Sequence, residues 1–147
     1  MLLGPAEIKK LIPHAGDMCL LSGVAQWDAT HITCAANSHR NASNPLARNG
    51  KVHALTGIEF AAQAMAVHGG LTGLVGQRPR AGLLVSVRDV EARVQFLSDH
   101  EDDLQIEAEQ LMAGGNSVTY SFRIQAGGQE LLTGRAMVVL DATEVLA

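Results

Sequence analysis

Glu59 stands inside a run of apolar and small residues, Leu55-Thr56-Gly57-Ile58-Glu59-Phe60-Ala61-Ala62-Gln63-Ala64-Met65-Ala66-Val67-His68. An ionised carboxylate removed from water must be partnered, protonated or open to a cavity, because unpaired burial is expensive. Desolvation also moves such a group toward the range useful for general acid or base work. Gln63 follows one helical turn later on the same face, where its amide could hold the carboxylate. The competing explanation is a Glu in the first helical turn, favoured by the helix dipole and exposed at a loop mouth. Spacing alone weighs the two equally. The start of this helix also brings backbone N–H groups at residues 54–57, expected to be unpaired and able to polarise a substrate carbonyl. His39 and His53 flank the preceding loop, and either could be the proton-transfer partner of Glu59. A surface role is the simpler account of both. His14, His31, His68 and His100 have weaker claims.

The elements that must position these residues follow from period and punctuation. A short amphipathic turn is expected over residues 6–12, interrupted by Pro13, then a strand over the apolar run 18–24. An Asp-Ala-Thr turn at residues 28–30 leads into the alternating strand 31–35, so the two runs suggest a hairpin. Residues 37–51, rich in Asn, Ser and Arg, read as a long surface loop, and long loops inside compact domains are usually functional. The helix from residue 55 is apolar or small almost all the way round and belongs in the interior. Residues 83–87 and 90–96 look like one long strand interrupted near Arg88-Asp89. The alternating run 104–112 and the runs 118–124 and 131–140 are separated by Gly114-Gly115-Asn116 and Gly127-Gly128. These four runs are expected to form a meander. The acidic run 99–103 reads as a solvated turn.

A helix that needs cover on most sides, with mainly strand around it, predicts an α+β domain in which a curved antiparallel sheet wraps the helix. Residues 1–147 are expected to form that single domain. An unpaired sheet edge would remain, predicting a dimer joined edge to edge or face to face. Hydrophobic residues make up 47% of the 147 and aromatics only 3%, so the core must be aliphatic. The net charge of −4 and the scarcity of stacking aromatics argue against a nucleic-acid platform. No apolar run is long enough for a membrane span, and the first ten residues lack an export signal, so a cytoplasmic protein is expected. Cys19 and Cys34 have no metal-ligand spacing and read as buried free thiols; neither metal nor cofactor is implied.

Two segments carry a family resemblance. Leu11-Ile12-Pro13-His14-Ala15-Gly16-Asp17-Met18-Cys19-Leu20-Leu21 is similar to the opening of 3-hydroxyacyl-acyl carrier protein dehydratases of the FabZ and FabA type, where a Leu-Pro-His stretch precedes an apolar first strand. Glu59-Phe60-Ala61-Ala62-Gln63-Ala64 resembles that family's Glu-Ala-Met-Ala-Gln-Ala helix, in which the acidic residue is catalytic. With residues 48–73 and the ending Leu132-Thr133-Gly134-Arg135-Ala136, the chain most resembles the dehydratase subgroup of aryl-polyene biosynthesis clusters. The resemblance runs over nearly the whole chain, with the helix motif its specific part. It implies a hotdog fold, a long central helix wrapped by the sheet.

The resemblance further implies dehydration of a 3-hydroxyacyl thioester carried by an acyl carrier protein or coenzyme A. Glu59 would be the acid-base residue, His53 or His39 would remove the α-proton, and Asn44, Pro45, Ala54, Leu55, Gly57 and Gln63 would lie beside the substrate. The family's His-Phe-Pro-Gly motif, however, falls here on Asn44-Pro45-Leu46, which contains no His, and its Pro-Gly turn falls on His53-Ala54. An acyl thioesterase, a silent partner in a hotdog heterodimer and a binding protein without catalysis therefore stay open beside the dehydratase. The dimer itself would be a homodimer or a heterodimer with another hotdog subunit. Arg40, Arg48, Lys51, Arg78 and Arg80 would suit an acidic carrier, and a solvated surface explains them equally well.

Overall fold

A computed structural model of the chain describes residues 2–11, 19–41, 43–73, 83–114 and 116–139. Helix α1 (Pro5–Leu11) is followed by strands β1 (Gly23–Trp27) and β2 (His31–Ala36), the long helix α2 (Gly57–Thr72), and strands β3 (Leu83–Ala92), β4 (Leu104–Gly114), β5 (Ser117–Ala126) and β6 (Gln129–Val139). The six strands form one antiparallel sheet in the order β1-β2-β4-β5-β6-β3. This is the hotdog arrangement that the patterning and the resemblance implied.

Alternation decides which face of the sheet meets α2. In β4 the side chains of Leu104, Ile106 and Ala108 are buried while Gln105 and Glu109 are exposed. In β5, Val118, Tyr120, Phe122, Ile124 and Ala126 are buried in the same every-second-residue pattern. Against them α2 buries Phe60, Ala61, Ala64, Met65, Val67 and His68. The helix ends at Gly73, which takes the left-handed conformation (φ 75°) that glycine adopts at helix C-termini. The β5–β6 hairpin turns on Gly127 and Gly128, both at positive φ (57° and 81°), as a primed two-residue turn requires. β3 carries the expected interruption: Asp89 sits at φ 56° and the register with β6 shifts between Arg88 and Glu91.

Three expectations are corrected. The apolar run 18–24 is not a strand along its length, since β1 begins at Gly23. Leu20 and Leu21 are instead buried where the chain crosses α2, with the Leu20 N–H donating to Gln63 Oε1 at 2.9 Å and the Ser38 hydroxyl donating to the Leu20 carbonyl at 2.9 Å. Burial against a helix, not ladder pairing, explains their hydrophobicity. The second half is also not a sequential meander: β4, β5 and β6 are consecutive, but β3 lies at the far edge beside β6. Alternation fixes a strand's faces and says nothing about its neighbours. Finally, β3 stops at Ala92, and residues 95–97 pair with the segment before α2. The Ala54 N–H donates to the Gln95 carbonyl and the Leu97 N–H to the Val52 carbonyl, each at 2.8 Å.

Gly57, at the start of α2, touches the sheet closely. A Cβ there would lie 2.8 Å from Leu132 Cδ2 and 2.9 Å from Ile124 Cδ1. Its backbone is ordinary helix (φ −57°), so close approach and not conformational freedom demands the glycine. Gly57→Ala is expected to destabilise the protein by about 1–3 kcal/mol through overpacking, read as a lower urea midpoint. An unchanged midpoint would mean that the helix start has room to shift.

Candidate active site

The two candidate histidines occupy different places. His53 is exposed and caps the short 3-10 turn Ala54–Thr56 that leads into α2. Its Nδ1 accepts the Leu55 N–H at 3.1 Å, which places the neutral ring's proton on Nε2. Its ring meets that of Phe96 edge to face, with centroids 5.8 Å apart. His39, by contrast, is only 1% exposed in the turn Ser38–Arg40, and its Nε2 lies 2.9 Å from the His100 carbonyl. That bond requires Nε2–H, leaving Nδ1 as the basic nitrogen, inside the protein. Burial holds the His39 imidazole below its ordinary pKa, against the opposing pull of the His100 carbonyl. Neither ring therefore presents a free basic nitrogen to solvent in this arrangement.

The backbone N–H groups at the helix start are likewise engaged, which overturns the expectation that they are unpaired. Ala54 N–H donates to Gln95, Leu55 N–H to the His53 ring, Thr56 N–H to the His53 carbonyl at 3.0 Å, and Gly57 N–H to the carbonyls of Ala54 and Leu55. A 3-10 turn before an α-helix satisfies donors that a bare helix end would leave open. Of these bonds, the one to the His53 side chain is the easiest to exchange. His53→Ala is expected to cost about 0.5–2 kcal/mol as a lost cap, and His53→Asn to restore most of it. Equal urea midpoints for the two variants would contradict the capping role.

Glu59 sits half-buried in the first turn of α2, where the helix dipole favours its charge. Gln63, one turn further along, is 2% exposed, and its carbonyl oxygen takes the Leu20 N–H. It thus fastens the crossing segment to the helix that carries Glu59. Asn44 is buried and folds its own loop: its amide nitrogen donates to the Ser38 carbonyl at 2.9 Å, and its amide oxygen accepts the Leu46 N–H at 2.8 Å. The Pro45 carbonyl accepts from Arg48 at 3.1 Å. The structure groups His53, Thr56 and Glu59 at the helix start, and His39 with Asn44 in the loop ahead of it. His14, Arg78 and Arg80 lie outside the described residues.

Two features at the helix start escaped the sequence reading. The long loop contains a two-residue hairpin, Arg48 paired with Lys51 around Asn49 (φ 55°) and Gly50 (φ 75°). An Asn-Gly pair is a strong local signal for such a turn. Beside it opens a groove of about 360 Å³ lined by Leu46, Arg48, Lys51, His53, Thr56 and Phe96. A larger hollow of about 440 Å³ lies on the outer face of the sheet. Both of its arginines already pair with acids in its lining, Arg123 with Glu107 and Arg135 with Asp89. Glu59 and His53 lie at the helix start and do not line the larger hollow. Among the described residues no group of three His, Cys, Asp or Glu side chains could hold a metal, and no helix is long and apolar enough to cross a membrane.

The family of ApeP-like dehydratases matches residues 6–146. The chain belongs to that family. Among solved structures, this ApeP-like chain resembles the dehydratase heterocomplex ApeI:P from Xenorhabdus doucetiae at 25% identity and a TM-score of 0.82, covering 95% of this chain and 94% of the other. The PaaI protein from the E. coli phenylacetic acid degradation operon aligns at 14% identity and a TM-score of 0.60, with 79% and 80% covered. Zebra fish thioesterase superfamily member 2 aligns at 13% identity and a TM-score of 0.64, with 92% and 94% covered. The last two likenesses concern the fold alone. No curated protein matches the chain by sequence. The ApeP-like assignment makes the chain a dehydratase or dehydratase-like subunit.

Proposed function

We propose that the chain supplies Glu59 to the elimination of water from a 3-hydroxyacyl thioester, in a site that a second hotdog subunit completes. The carrying observation is the engagement of both candidate histidines: His53 gives Nδ1 to the Leu55 N–H, and His39 keeps its basic nitrogen buried. The base that removes the α-proton then comes from the neighbouring subunit. As the α C–H electrons form the double bond, the carbon–oxygen bond breaks, and Glu59 gives its proton to the departing hydroxyl, which leaves as water. The related ApeI:P structure is a heterocomplex, which supports a hetero-oligomeric site. The outer edge of β3, a ten-residue strand paired only with β6 among the described residues, suits edge-to-edge joining.

In this reading residues 1–147 act as one domain, and the substrate is carried by an acyl carrier protein or coenzyme A. A cytoplasmic setting fits the unpaired thiols of Cys19 and Cys34, the latter pushed up to about 12 by burial. The test follows enoyl product and free thiol together, using a 3-hydroxyacyl thioester with the purified chain alone and with its co-purified hotdog companion. Enoyl formation in the mixture only, dependent on Glu59, is the expected result. Full activity of the isolated chain would overturn the shared site, and thiol release without enoyl product would overturn the dehydratase.

A further inference from the structure

The outward side of β3 carries a charge with no counterpart. In register, Arg88 stands opposite Arg135 of β6, and like charges that face each other destabilise a β pair. Arg135 has an acid, Asp89, at 3.9 Å, while Arg88 is exposed and pairs with no carboxylate among the described residues. Further along the same edge the charges are matched, Arg93 with both Glu91 and Glu130. β6 occupies one flank of Arg88, and the other flank is open among the described residues. Both arginines line a hollow of about 130 Å³ together with Ser86 and Thr119. On the core-facing side of the strand, Val87 and Val90 pack against buried residues and are themselves only partly buried, so the edge leaves apolar surface to be covered as well. A lone edge charge guards against pairing. A guanidinium set beside a second guanidinium goes further and selects what can pair.

We infer that this edge selects a hotdog companion of different sequence, one whose edge strand carries an Asp or Glu that enters the hollow between Arg88 and Arg135. The inference rests on the shared-site reading and adds what the companion must present. Register makes the selection. β3 pairs regularly with β6 from Ser86 to Arg88, with a shift on either side, and bulges at an edge interrupt further pairing. Two copies of this chain joined antiparallel about a twofold axis within that stretch set Arg88 opposite Ser86 or opposite another Arg88, and neither is an acid. A companion carboxylate instead accepts from both guanidiniums. Because side chains alternate along a strand, the residues on either side of that acid point inward, where apolar side chains cover Val87 and Val90.

The test dilutes the purified complex of the chain with its co-purified hotdog companion and follows dissociation by sedimentation. Arg88→Glu is expected to weaken the complex by about tenfold or more, since it sets a carboxylate against a carboxylate. Arg88→Gln should weaken it less and make it less sensitive to salt than the wild type. Arg123→Gln, on the same face of the sheet but two strands inward, should leave the affinity within about twofold. Urea midpoints of the variants, compared with the wild type, show that each chain is folded. Wild-type affinity in Arg88→Glu would overturn the selection, as would a homodimer of this chain as tight as the complex. The readout does not depend on turnover. Association that is indifferent to Arg88 counts against the selection alone, whereas a wild-type chain that does not associate overturns the shared site and the selection with it.

Discussion

Glu59→Gln is expected to lower enoyl formation by about 10²–10⁴-fold while leaving the protein folded. Gln preserves the length and polarity of the side chain and removes the proton that the departing hydroxyl needs. The position is half-buried in the first turn of α2, where the interaction of a charge with the helix dipole is worth about 0.3–1 kcal/mol. The two effects are separable. A large rate loss with a urea midpoint within that margin identifies a chemical role, whereas a rate that falls only in step with stability would leave Glu59 as a helix-start residue. Gln63→Leu supplies the contrast. It removes the acceptor for the Leu20 N–H and should reduce stability first and activity second.

His68→Phe is expected to destabilise the protein by about 2–4 kcal/mol. His68 is fully buried on α2, with Nδ1 2.8 Å from the Tyr120 hydroxyl of β5 and Nε2 2.9 Å from the Asp28 carbonyl in the β1–β2 turn. One neutral tautomer satisfies both contacts: Nε2–H donates to Asp28, and Nδ1 accepts the Tyr120 O–H. Burial also raises the Tyr120 phenol well above its usual value, so it stays a donor. Phe fills the space but leaves a hydroxyl and a carbonyl unsatisfied, and His68→Phe/Tyr120→Phe should recover part of the loss. If the double variant were no better than the single, the pair would not be coupled.

The same residue sets an acid sensitivity. Burial, the larger influence, and repulsion from His31 hold the His68 pKa below its ordinary value, outweighing the Asp28 carbonyl. Above about pH 6.5 the ring is neutral in the folded and unfolded chains alike, and its contacts are fully available. As pH falls below that value the unfolded chain takes up the proton first, so stability declines until the folded-state pKa is passed and then levels. His39, shifted in the same direction, adds to the decline. Urea midpoints between pH 8 and pH 5 should therefore fall with pH, and fall less in His68→Phe. A flat wild-type profile would remove the buried-histidine explanation.

The parts of the fold governed by local pattern were legible in the sequence. The every-second-residue burial of β4 and β5, the all-round apolar character of α2, the Gly127-Gly128 turn and the break in β3 at Arg88-Asp89 all follow from side-chain period or backbone freedom. The losses came where one local signal has two tertiary causes. Leu20 and Leu21 are apolar because they cross α2, and a strand would show the same composition. The placement of β3 beside β6 depends on where the chain travels after α2, which no periodicity records. At the site, Glu59 and His53 were singled out by type. That the His53 ring itself occupies the Leu55 N–H depends on side-chain geometry invisible in a spacing. His68 was passed over because a histidine on an apolar helix face shows its value only when a tyrosine from β5 and a carbonyl from the β1–β2 turn arrive beside it.

The position of β3 also bears on how the chain acquires its shape. Its partner among the described residues is β6, the last strand, so this ladder joins residues far apart in sequence. Such non-local pairing is slow relative to the local hairpins of β4, β5 and β6. During synthesis β3 emerges with neither edge covered, and waits on the order of seconds for β6 to follow. Its apolar start, Leu83-Leu84-Val85, is thus the stretch of the nascent chain with most to gain from a chaperone. If β3 also joins a second subunit, as proposed, early arrival of that subunit would shorten the interval, and co-expression should raise the yield of the folded chain.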